Sequence, residues 1–302
     1  MTQPLISVLI INWNGERFLG DCLESIRERV TVPCEVVLLD NHSSDGSAEL
    51  VTSRFPWVKL VRSNDNLGFI KGNNLAAQYA TGKFLLLLNN DTVLRTDVRD
   101  AVEVLEGDET IGAVGATMYD RQGGIRLSCA HFPTPARLWR FASIWYVPTD
   151  SYAGPGGIAL RRCDFVEGSF LLTRAEDWRR VGGLDERNYM YGDDFDYCRS
   201  LLDLGLTTVQ CPSVGYTHFG GYNHARMGYL FAGFRRYHRK FSSRIVQWQA
   251  EFVLRTGLWL RLPWYWIRAA IKKDPESRSA LKHALLLNRN WSQTLIDAHR
   301  FH

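Results

Sequence analysis

The feature that most constrains this chain is the segment FLLLLNNDTVL at residues 84–94, in which five apolar residues lead directly into Asn89-Asn90-Asp91. A short apolar run bounded by polar residues is typical of a strand buried on both faces of a parallel sheet. Ligands of open α/β sheets bind just beyond the carboxyl ends of the strands. Asp91 is therefore placed where a carboxylate can meet a metal ion and a diphosphate, although it can equally cap the following helix.

Strand and helix patterns alternate five times over the first 118 residues. This alternation predicts a parallel, doubly wound sheet. The second strand ends on Asp40, so we expect Asp40 and Asp91 at neighbouring strand ends. The predicted strands are 5–11, 35–40, 58–62, 84–88 and 111–118, and the predicted helices are 17–29, 48–54 with Ser47 as its N-cap, 70–80 and one near 97–106.

Two common nucleotide-binding motifs are absent from the sequence. The first strand-to-helix turn is NWNGERFLG, which lacks the GxGxxG spacing of a dinucleotide-binding domain. No GxxxxGK[ST] segment is present either, which excludes a P-loop. What remains is a nucleotide-type sheet with acidic residues at its strand ends.

The middle of the chain changes character. Residues 119–162 are rich in proline and aromatic residues and are too long for a simple connection, so we expect a functional loop or a mobile lid. Regular structure is predicted to resume with a strand at 164–174 and a helix at 175–181, and a further strand is predicted at 207–212.

A second acidic cluster, Asp193, Asp194 and Asp196, lies at the predicted start of a helix. Carboxylates in a first helical turn are stabilised by the helix dipole. Three acids in four positions also repel one another, which raises the pKa of one of their carboxyl groups. That acid is a candidate general base. His218 follows in a loop with His224 and is either an ordinary polar residue or a metal ligand.

The C-terminal region differs from the rest in charge and aromatic content. From residue 226 onward the chain has 15 Lys/Arg against 4 Asp/Glu, whereas the preceding residues have 21 against 28. We expect helices here, broken at Pro263. They cap the preceding domain, lie in a membrane interface, where Trp prefers the headgroup level, or do both with one basic face presented to the membrane. Nucleic acid is not expected as a partner, because the first part is acidic and no recognition motif is present.

Targeting signals and cysteines indicate the compartment. The six cysteines are scattered without a CxxC pair, so we expect free thiols in a reducing environment. The N-terminus has no basic region before its apolar run, so we expect no signal peptide, and no segment is apolar for the roughly 18 residues that span a bilayer. We expect a cytoplasmic protein.

Taken together, the segments resemble family 2 glycosyltransferases of the GT-A fold, the inverting type that includes bacterial rhamnosyltransferases. The resemblance covers roughly residues 5–224. It is carried, in order, by SVLIINWNGERFL, VVLLDNHSSDGS, NDNLGFIKGNN, LLLLNNDTVL, VEGSFLLTRAEDWRRVGGLDER and YMYGDDFDYCRSLLDLG.

The resemblance implies a division of the chain and an architecture. Residues 1–224 would be the GT-A catalytic domain, with a nucleotide-sugar half at 1–118 and an acceptor half at 119–224 that carries the catalytic acid. The composition of residues 225–302, which lie beyond the resemblance, predicts a basic, Trp-rich helical extension. The fold class is then α/β, with a mostly parallel, doubly wound, nucleotide-binding sheet.

The resemblance also implies residue roles. The donor nucleotide and its sugar would contact Asn12, Asp40, Asn66, Gly68, Asn73 and Asn90. Asp91 would hold a divalent metal, Mg²⁺ or Mn²⁺, and His218 would complete that site. Asp194 would deprotonate the acceptor hydroxyl, with its neighbour Asp193 as the alternative base. The chain departs from the family pattern at Asn89-Asn90-Asp91, which has one carboxylate where many relatives have two, and at Asp193, which stands in place of the usual Glu.

These observations predict an inverting glycosyltransferase with a nucleotide-diphospho-sugar donor. The resemblance favours dTDP-rhamnose over a UDP-sugar, and a glycan or lipid-linked acceptor in bacterial cell-surface polysaccharide or O-antigen synthesis. The predicted location is the inner face of the cell membrane, as a peripheral protein on anionic lipid, with a homodimer through the C-terminal helices as a further possibility. A nucleotidyltransferase on a similar sheet and a non-catalytic nucleotide-sugar- or membrane-binding scaffold are the alternatives.

Overall fold

The computed structural model describes residues 3–140, 151–220, 227–272 and 275–291. These residues form two compact units. We name the first the sheet unit, which comprises 3–132, 151–186 and 194–220. The second is the helical unit, which comprises 133–140, 187–193, 227–272 and 275–291. The predicted boundary near residue 224 stays a prediction.

The first half of the sheet unit alternates strands and helices as predicted. Its strands are β1 (Ile6–Asn12), β2 (Cys34–Asp40), β3 (Lys59–Arg62), β4 (Phe84–Leu88), β5 (Thr92–Leu94) and β6 (Ile111–Tyr119). Its helices are α1 (Glu16–Arg29), α2 (Ser47–Arg54), α3 (Gly68–Gln78) and α4 (Arg99–Gly107). Strands β3, β2, β1 and β4 are adjacent and parallel.

The core of this sheet follows from the apolar runs of the sequence. All five residues of β4 are buried, and β1 and β2 are buried along nearly their whole length. The register places Asn12 opposite Asp40, at the carboxyl ends of β1 and β2. Ser47 does not cap α2 with its side chain. Instead, Asp45 accepts hydrogen bonds from the backbone N–H and the hydroxyl of Ser47.

The second half of the sheet unit adds antiparallel strands to this sheet, which the prediction described as mostly parallel. The predicted strand at 164–174 is two strands, β11 (Phe165–Val166) and β12 (Phe170–Arg174), separated by a turn. Strand β12 lies between β4 and β6 and is antiparallel to both. A parallel neighbour of β4 would need a crossover connection, and the local pattern of 164–174 carries no information about which strand it pairs with. Helix α6 (Ala175–Val181) follows and ends at Gly182, whose φ is +88°.

The last strand of the sheet unit is longer than predicted. Strand β13 (Thr207–His218) extends the predicted 207–212 segment, with an irregularity between Cys211 and Gly215. It pairs in parallel with β6, and its last residues pair antiparallel with β5. The break at Pro212 hid this continuation in the sequence, because proline disfavours a central strand. Helix α7 (Asp193–Asp203) precedes β13.

Residues 119–162 contain more regular structure than an extended loop. The described parts form β7 (Ile125–Arg126), β8 (Cys129–Ala130), α5 (Pro135–Arg140), β9 (Ser151–Ala153), a 3-10 turn at Pro155–Gly157 and β10 (Ala159–Cys163). Strands β9 and β10 join the main sheet beside β13, and β8 pairs with β11. Residues 141–150, at the centre of the predicted lid, lie outside the described residues.

The helical unit contains three long helices, α8 (Met227–Phe241), α9 (Arg244–Lys272) and α10 (Pro275–Arg289). Helix α9 runs through Pro263, which corrects the predicted break. A proline inside a helix costs about 3 kcal/mol, and the packing of α9 against α5, α8 and α10 offsets this cost. None of the six cysteines, all of which are among the described residues, forms a disulfide. Among the described residues, no helix combines the length and the apolar character that crossing a bilayer requires.

Candidate active site

The carboxyl ends of β1, β2 and β4 bring together a network of asparagines. Asn90 Nδ2 donates to Asn12 Oδ1 at 2.7 Å, and Asn12 Nδ2 donates to Ser43 Oγ at 3.2 Å. Asn12 is fully buried. Gly15 lies against this pair so closely that a Cβ would overlap both Asn90 Nδ2 and Asn12 Oδ1. The predicted residues Asn12 and Asn90 therefore lie side by side.

Asp40 lies at the end of β2, beside this network. The residue is 6% exposed, and its Oδ1 atom is buried with no hydrogen-bond partner in the described structure. An unpaired buried acceptor is costly, which makes it a candidate for receiving a donor group from a ligand.

Asn41 organises the segment that follows β3, and the sequence analysis missed it. Its Oδ1 accepts from the Leu67 N–H at 2.8 Å, and its Nδ2 donates to Asn66 Oδ1 at 2.9 Å and to the Gly68 carbonyl at 3.2 Å. Gly68 has a φ of +76°, a conformation that glycine adopts without strain. The predicted residues Asn66 and Gly68 are thus held to the end of β2.

Asn73 has a local role in the structure. It is buried on α3, and its Nδ2 donates to the Phe69 carbonyl at 2.9 Å, four residues earlier in the same helix. This bond uses one donor of the side-chain amide inside α3.

Asp91 and His218 form a pair at the centre of the site. The register of β13 with β5 sets His218 opposite Thr92, the residue after Asp91. Asp91 Oδ1 lies 3.2 Å from His218 Nε2, and the Phe219 N–H donates to the Asp91 carbonyl at 2.9 Å. Burial lowers the pKa of His218, but its hydrogen bond to Asp91 and the charges of Asp91 and Glu167 outweigh burial and leave the pKa above its ordinary value.

The donor atoms of this pair fit a divalent cation. Asp91 offers a carboxylate and His218 an imidazole nitrogen, and the buried Oδ1 of Asn89 has no hydrogen-bond partner in the described structure. The described residues contain no cluster of three or more His, Cys, Asp or Glu side chains that could hold a metal. Mg²⁺ at nucleotide sites takes one or two protein carboxylates and completes its shell with phosphate oxygens and water. The pair therefore suits a metal that is held jointly with a diphosphate.

Glu167 is an electrostatic neighbour of His218, and Asp194 is in turn an electrostatic neighbour of Glu167. Asp194 is in the first turn of α7, where its Oδ1 accepts from the Phe195 N–H at 2.8 Å, and burial raises its pKa to about 6. Burial, and after it the charge of Asp194, raises the pKa of Glu167 to about 7, while the charge of His218 opposes this rise. The electrostatic neighbours of Glu167 thus link Asp194 to the Asp91–His218 pair.

Glu167 was not singled out from the sequence, because one acid within VEGSF carries no recognisable pattern. It lies in the turn that separates β11 from β12, and its N–H donates to the Ser128 carbonyl at 3.0 Å. Asp193 is buried at the start of α7. Consecutive helical residues point about 100° apart, so Asp193 and Asp194 face different surroundings. His224 lies outside the described residues.

The comparisons with known proteins place the chain in a family. Residues 7–170, more than half of the chain, match the model of Glycosyl transferase family 2. The chain belongs to this family.

Relatives and solved structures agree with that membership. The chain is 28% identical over 233 residues to an N-acetylglucosaminyl-diphospho-decaprenol L-rhamnosyltransferase of Mycobacterium tuberculosis, covering 70% of this chain and 73% of the relative. It is similar in structure to the mannosyltransferase PcManGT of Pyrobaculum calidifontis in complex with GDP-Man and Mn²⁺. That TM-score is 0.60 at 16% identity, covering 98% of this chain and 88% of the other.

A third similarity is to the structure of GalNAc-T7 with UDP, GalNAc and Mn²⁺. The TM-score is 0.57 at 17% identity, and the match covers 78% of this chain and 48% of that one. These likenesses confirm the predicted GT-A type of fold, with its mostly parallel central sheet and a helical C-terminal region. As a member of Glycosyl transferase family 2, this chain is a glycosyltransferase, an enzyme that transfers a sugar.

Proposed function

We propose that this glycosyltransferase moves a sugar from a nucleotide-diphosphate donor to an acceptor hydroxyl with inversion at the anomeric carbon. The observation that carries the proposal is the grouping of Asp91, His218, Glu167 and Asp194 beyond the carboxyl end of β4. Asp91 and His218 suit the side of the leaving diphosphate, and Asp194 suits the side of the incoming alcohol.

The donor nucleotide binds over the ends of β1 and β2. Asp40 offers its unpaired Oδ1 to the base or ribose, and the Asn12–Asn90 pair supports the pyrophosphate side. Asn66, Gly68 and Asn73 belong to the segment and helix that border this position. We favour dTDP-rhamnose and place UDP-sugars next, because one relative is named a rhamnosyltransferase and one structural neighbour holds UDP.

Asp91 and His218 hold a divalent metal, Mg²⁺ or Mn²⁺, together with the donor diphosphate. The metal, when bound, offsets the negative charge that develops on the departing nucleotide diphosphate. Asp91 supplies the charged ligand, and His218 supplies a nitrogen that is available only when the ring is neutral. Gly220 allows close approach here, since a Cβ on it would overlap Asp91 Oδ2.

Asp194 acts as the general base. A carboxylate with a pKa of about 6 is ionised at neutral pH and is more basic than an ordinary aspartate. It takes the proton of the acceptor hydroxyl while the oxygen attacks the anomeric carbon from the face opposite the diphosphate. The bond to the diphosphate breaks as the new glycosidic bond forms, so the configuration inverts without a covalent intermediate. Asp193 is the alternative base.

The acceptor is a glycan or lipid-linked sugar in bacterial cell-surface polysaccharide synthesis. The named substrate of the rhamnosyltransferase relative is a diphospho-decaprenol, which supports a lipid-linked acceptor. We therefore place the enzyme in the cytoplasm, at the inner face of the cell membrane. A homodimer through the C-terminal helices is the alternative use of that region.

Thermal-shift binding tests the donor assignment. Purified protein is melted with UDP, dTDP and GDP, each with and without Mn²⁺. Stabilisation grows as RT ln(1 + [L]/Kd), so the preferred base should give the largest increase in Tm, and Mn²⁺ should enlarge it. Equal and negligible shifts for all three nucleotides would overturn the proposal that this site binds a nucleotide donor.

The metal assignment is tested by titrating Mn²⁺ against donor hydrolysis. Asp91→Asn should raise the Mn²⁺ concentration needed for half-maximal rate by at least about tenfold, because a charged ligand is lost. The matched control is Asp21→Asn, an exposed acid on α1 outside the site, which should leave the titration unchanged. An unchanged titration in Asp91→Asn would contradict the assignment.

A further inference from the structure

Helix α9 has one face buried in the helical unit and the opposite face open. Ala250, Leu254 and Leu258 are buried at intervals of four residues. On the other side, large apolar side chains are each more than half exposed, and Trp248 is 80% exposed. At 3.6 residues per turn these exposed positions span an arc of about 160°. They include Ile245, Trp248, Phe252, Trp259, Trp264 and Trp266. We call this surface the α9 tryptophan face.

Cations border the α9 tryptophan face on both sides. Helical geometry places Arg244 and Arg255 along one edge and Arg261 and Arg268 along the other. The sole acid of α9, Glu251, is turned away from this face, where it accepts from Arg235 Nε at 2.8 Å and from Trp291 Nε1 at 3.2 Å. The open surface of α9 is therefore apolar and cationic.

A basic cavity opens beside one edge of this face. Its volume is about 440 Å³, and its lining includes Arg235, Arg239, Arg255, Trp248 and Trp291. Glu251 neutralises the buried Arg235. Among the described residues, neither Arg239 nor Arg255 has an acidic partner, and both are exposed. The cavity thus carries two guanidinium groups that can each form a bidentate bond to a phosphate.

We propose that the α9 tryptophan face lies in the headgroup region of an anionic phospholipid bilayer, and that Arg239 and Arg255 bind a lipid phosphate in the adjoining cavity. Tryptophan prefers the membrane–water interface, and an amphipathic helix with basic flanks lies in the plane of that interface. In this arrangement α9 lies along the membrane surface and does not cross the bilayer. Among the described residues, no helix is long and apolar enough to cross it.

A second copy of the chain and an acidic soluble protein both fit the α9 tryptophan face less well than a membrane does. A second copy of the chain paired about a two-fold axis would set the same cationic surface against itself. An acidic soluble protein would satisfy the arginines but would leave the extended row of tryptophans without the apolar surroundings that acyl chains provide. The inference concerns the helical unit alone and holds whether or not the sheet unit transfers a sugar.

Vesicle flotation of the full chain tests the proposal. One set of vesicles contains phosphatidylcholine only, and the other contains phosphatidylcholine with phosphatidylglycerol. Wild-type protein should float with the anionic vesicles, and binding should weaken as salt is added. Each arginine near an anionic surface contributes about 1 kcal/mol, so Arg239→Gln and Arg255→Gln should each weaken anionic binding about fivefold. Neither should change the weaker binding to neutral vesicles.

The apolar contribution is tested separately. Trp248→Ser and Trp264→Ser, both at exposed positions, should weaken binding to both kinds of vesicle. The matched controls lie in the sheet unit: Trp57→Ser for an exposed tryptophan and Arg161→Gln for an exposed arginine, and both should bind as wild type. Circular dichroism verifies that every variant is folded.

Two outcomes overturn the inference. The first is wild-type protein that does not float with anionic vesicles, or that floats equally well after all four α9 and cavity substitutions. The second is a dimer in sedimentation velocity that Trp248→Ser converts to a monomer, which would make this face a contact between copies. Loss of vesicle binding with donor hydrolysis retained supports the inference and leaves the proposed sugar transfer untouched.

Discussion

At the scale of single residues, the environment of Asp194 accounts for its suitability as a base. Removal from water raises its pKa, and the Phe195 N–H still holds one carboxylate oxygen in place. Burial makes this carboxylate a stronger base than an ordinary aspartate, and the hydrogen bond restricts the rotation of its side chain. The neighbouring Asp193 shares the burial but points elsewhere on the helix.

Asp194→Asn should lower kcat by about 10²–10⁴-fold with little change in nucleotide binding, because a positioned base contributes about that much to rate. Asp193→Asn should lower kcat far less than Asp194→Asn does. The control is Asp203→Asn at the far end of α7, an exposed acid paired with Arg199. A larger loss in Asp193→Asn than in Asp194→Asn would transfer the base role to Asp193.

The pH dependence follows from the raised pKa. The base must be ionised to take a proton, so kcat/KM should be high above pH 6 and fall as the pH drops through about 6. Glu167 has a pKa of about 7 and is therefore mostly protonated at this pH, so Glu167→Gln should shift this acidic limb little. Glu176→Gln, an exposed acid on α6, should leave the limb in place. An acidic limb near pH 4 in wild type would show that Asp194 is not the titrating base.

At the scale of elements, the first strand-to-helix turn depends on one glycine. Gly15 lies against the Asn12–Asn90 hydrogen bond, and a Cβ there would overlap both amides. Gly20, five residues later in α1, has open space, with its nearest neighbour Arg54 Nη1 at 3.9 Å. Substitution by alanine should therefore disturb the site at Gly15 and leave it intact at Gly20.

Gly15→Ala should weaken nucleotide binding, measured by calorimetric titration, because it displaces the Asn12–Asn90 pair. Gly20→Ala should leave binding unchanged and raise the free energy of unfolding by up to about 1 kcal/mol, since glycine inside a helix is unfavourable by that amount. Wild-type nucleotide affinity in Gly15→Ala would show that the amide pair does not support the donor.

The helical unit depends on a partly buried ion pair between α8 and α9. Arg235 is 5% exposed and bonds Glu251 Oε1 and the Trp291 carbonyl, and its guanidinium lies 4.5 Å from the Trp291 ring centroid. Glu251→Gln should lower the free energy of unfolding by about 1–3 kcal/mol in urea titration, because Arg235 would lose its charged partner. Glu103→Gln on α4 is the control, with no expected change. Equal stability of the two variants would contradict this account.

Much of the sheet unit was predictable because its signals are local. The apolar run 84–88 gave the bounds of β4, and the pattern at 175–181 gave the bounds of α6. The order of the strands was not predictable, since the partner of β12 depends on the connection and not on its own residues. Continuation of α9 through Pro263 depends on packing against other helices.

The same distinction applies to the candidate site. Asp91 and His218 were predictable from family motifs, and the structure pairs them through the register of β5 with β13. Asn41 was missed because its importance lies in three hydrogen bonds to a distant loop. Glu167 was missed because its raised pKa arises from burial beside Asp194, which no spacing in the sequence reveals.

At the scale of the whole molecule, charge is divided along the chain. The net charge of +4 combines an acidic first part with a strongly basic region from residue 226 onward. The rate of sugar transfer to a lipid-linked acceptor in anionic vesicles should therefore fall with added salt. Salt screens the attraction between the basic region and the lipid, since the Debye length is only about 3 Å at 1 M. Transfer to a water-soluble acceptor should change little. Equal salt dependence for both acceptors would show that the basic region does not recruit the enzyme to lipid.

The reversed direction of β12 has a consequence for the proposed acceptor selectivity. The strands β4 and β6 reach this edge of the sheet with their last residues, whereas β12 begins there, so Glu167 lies in the stretch of chain that leads into β12. That stretch can change in length or in composition without altering the strand ends that are proposed to border the donor. In the proposed reaction, substitutions in that stretch would change selectivity for the acceptor alcohol and would leave the residues proposed to hold the diphosphate unchanged.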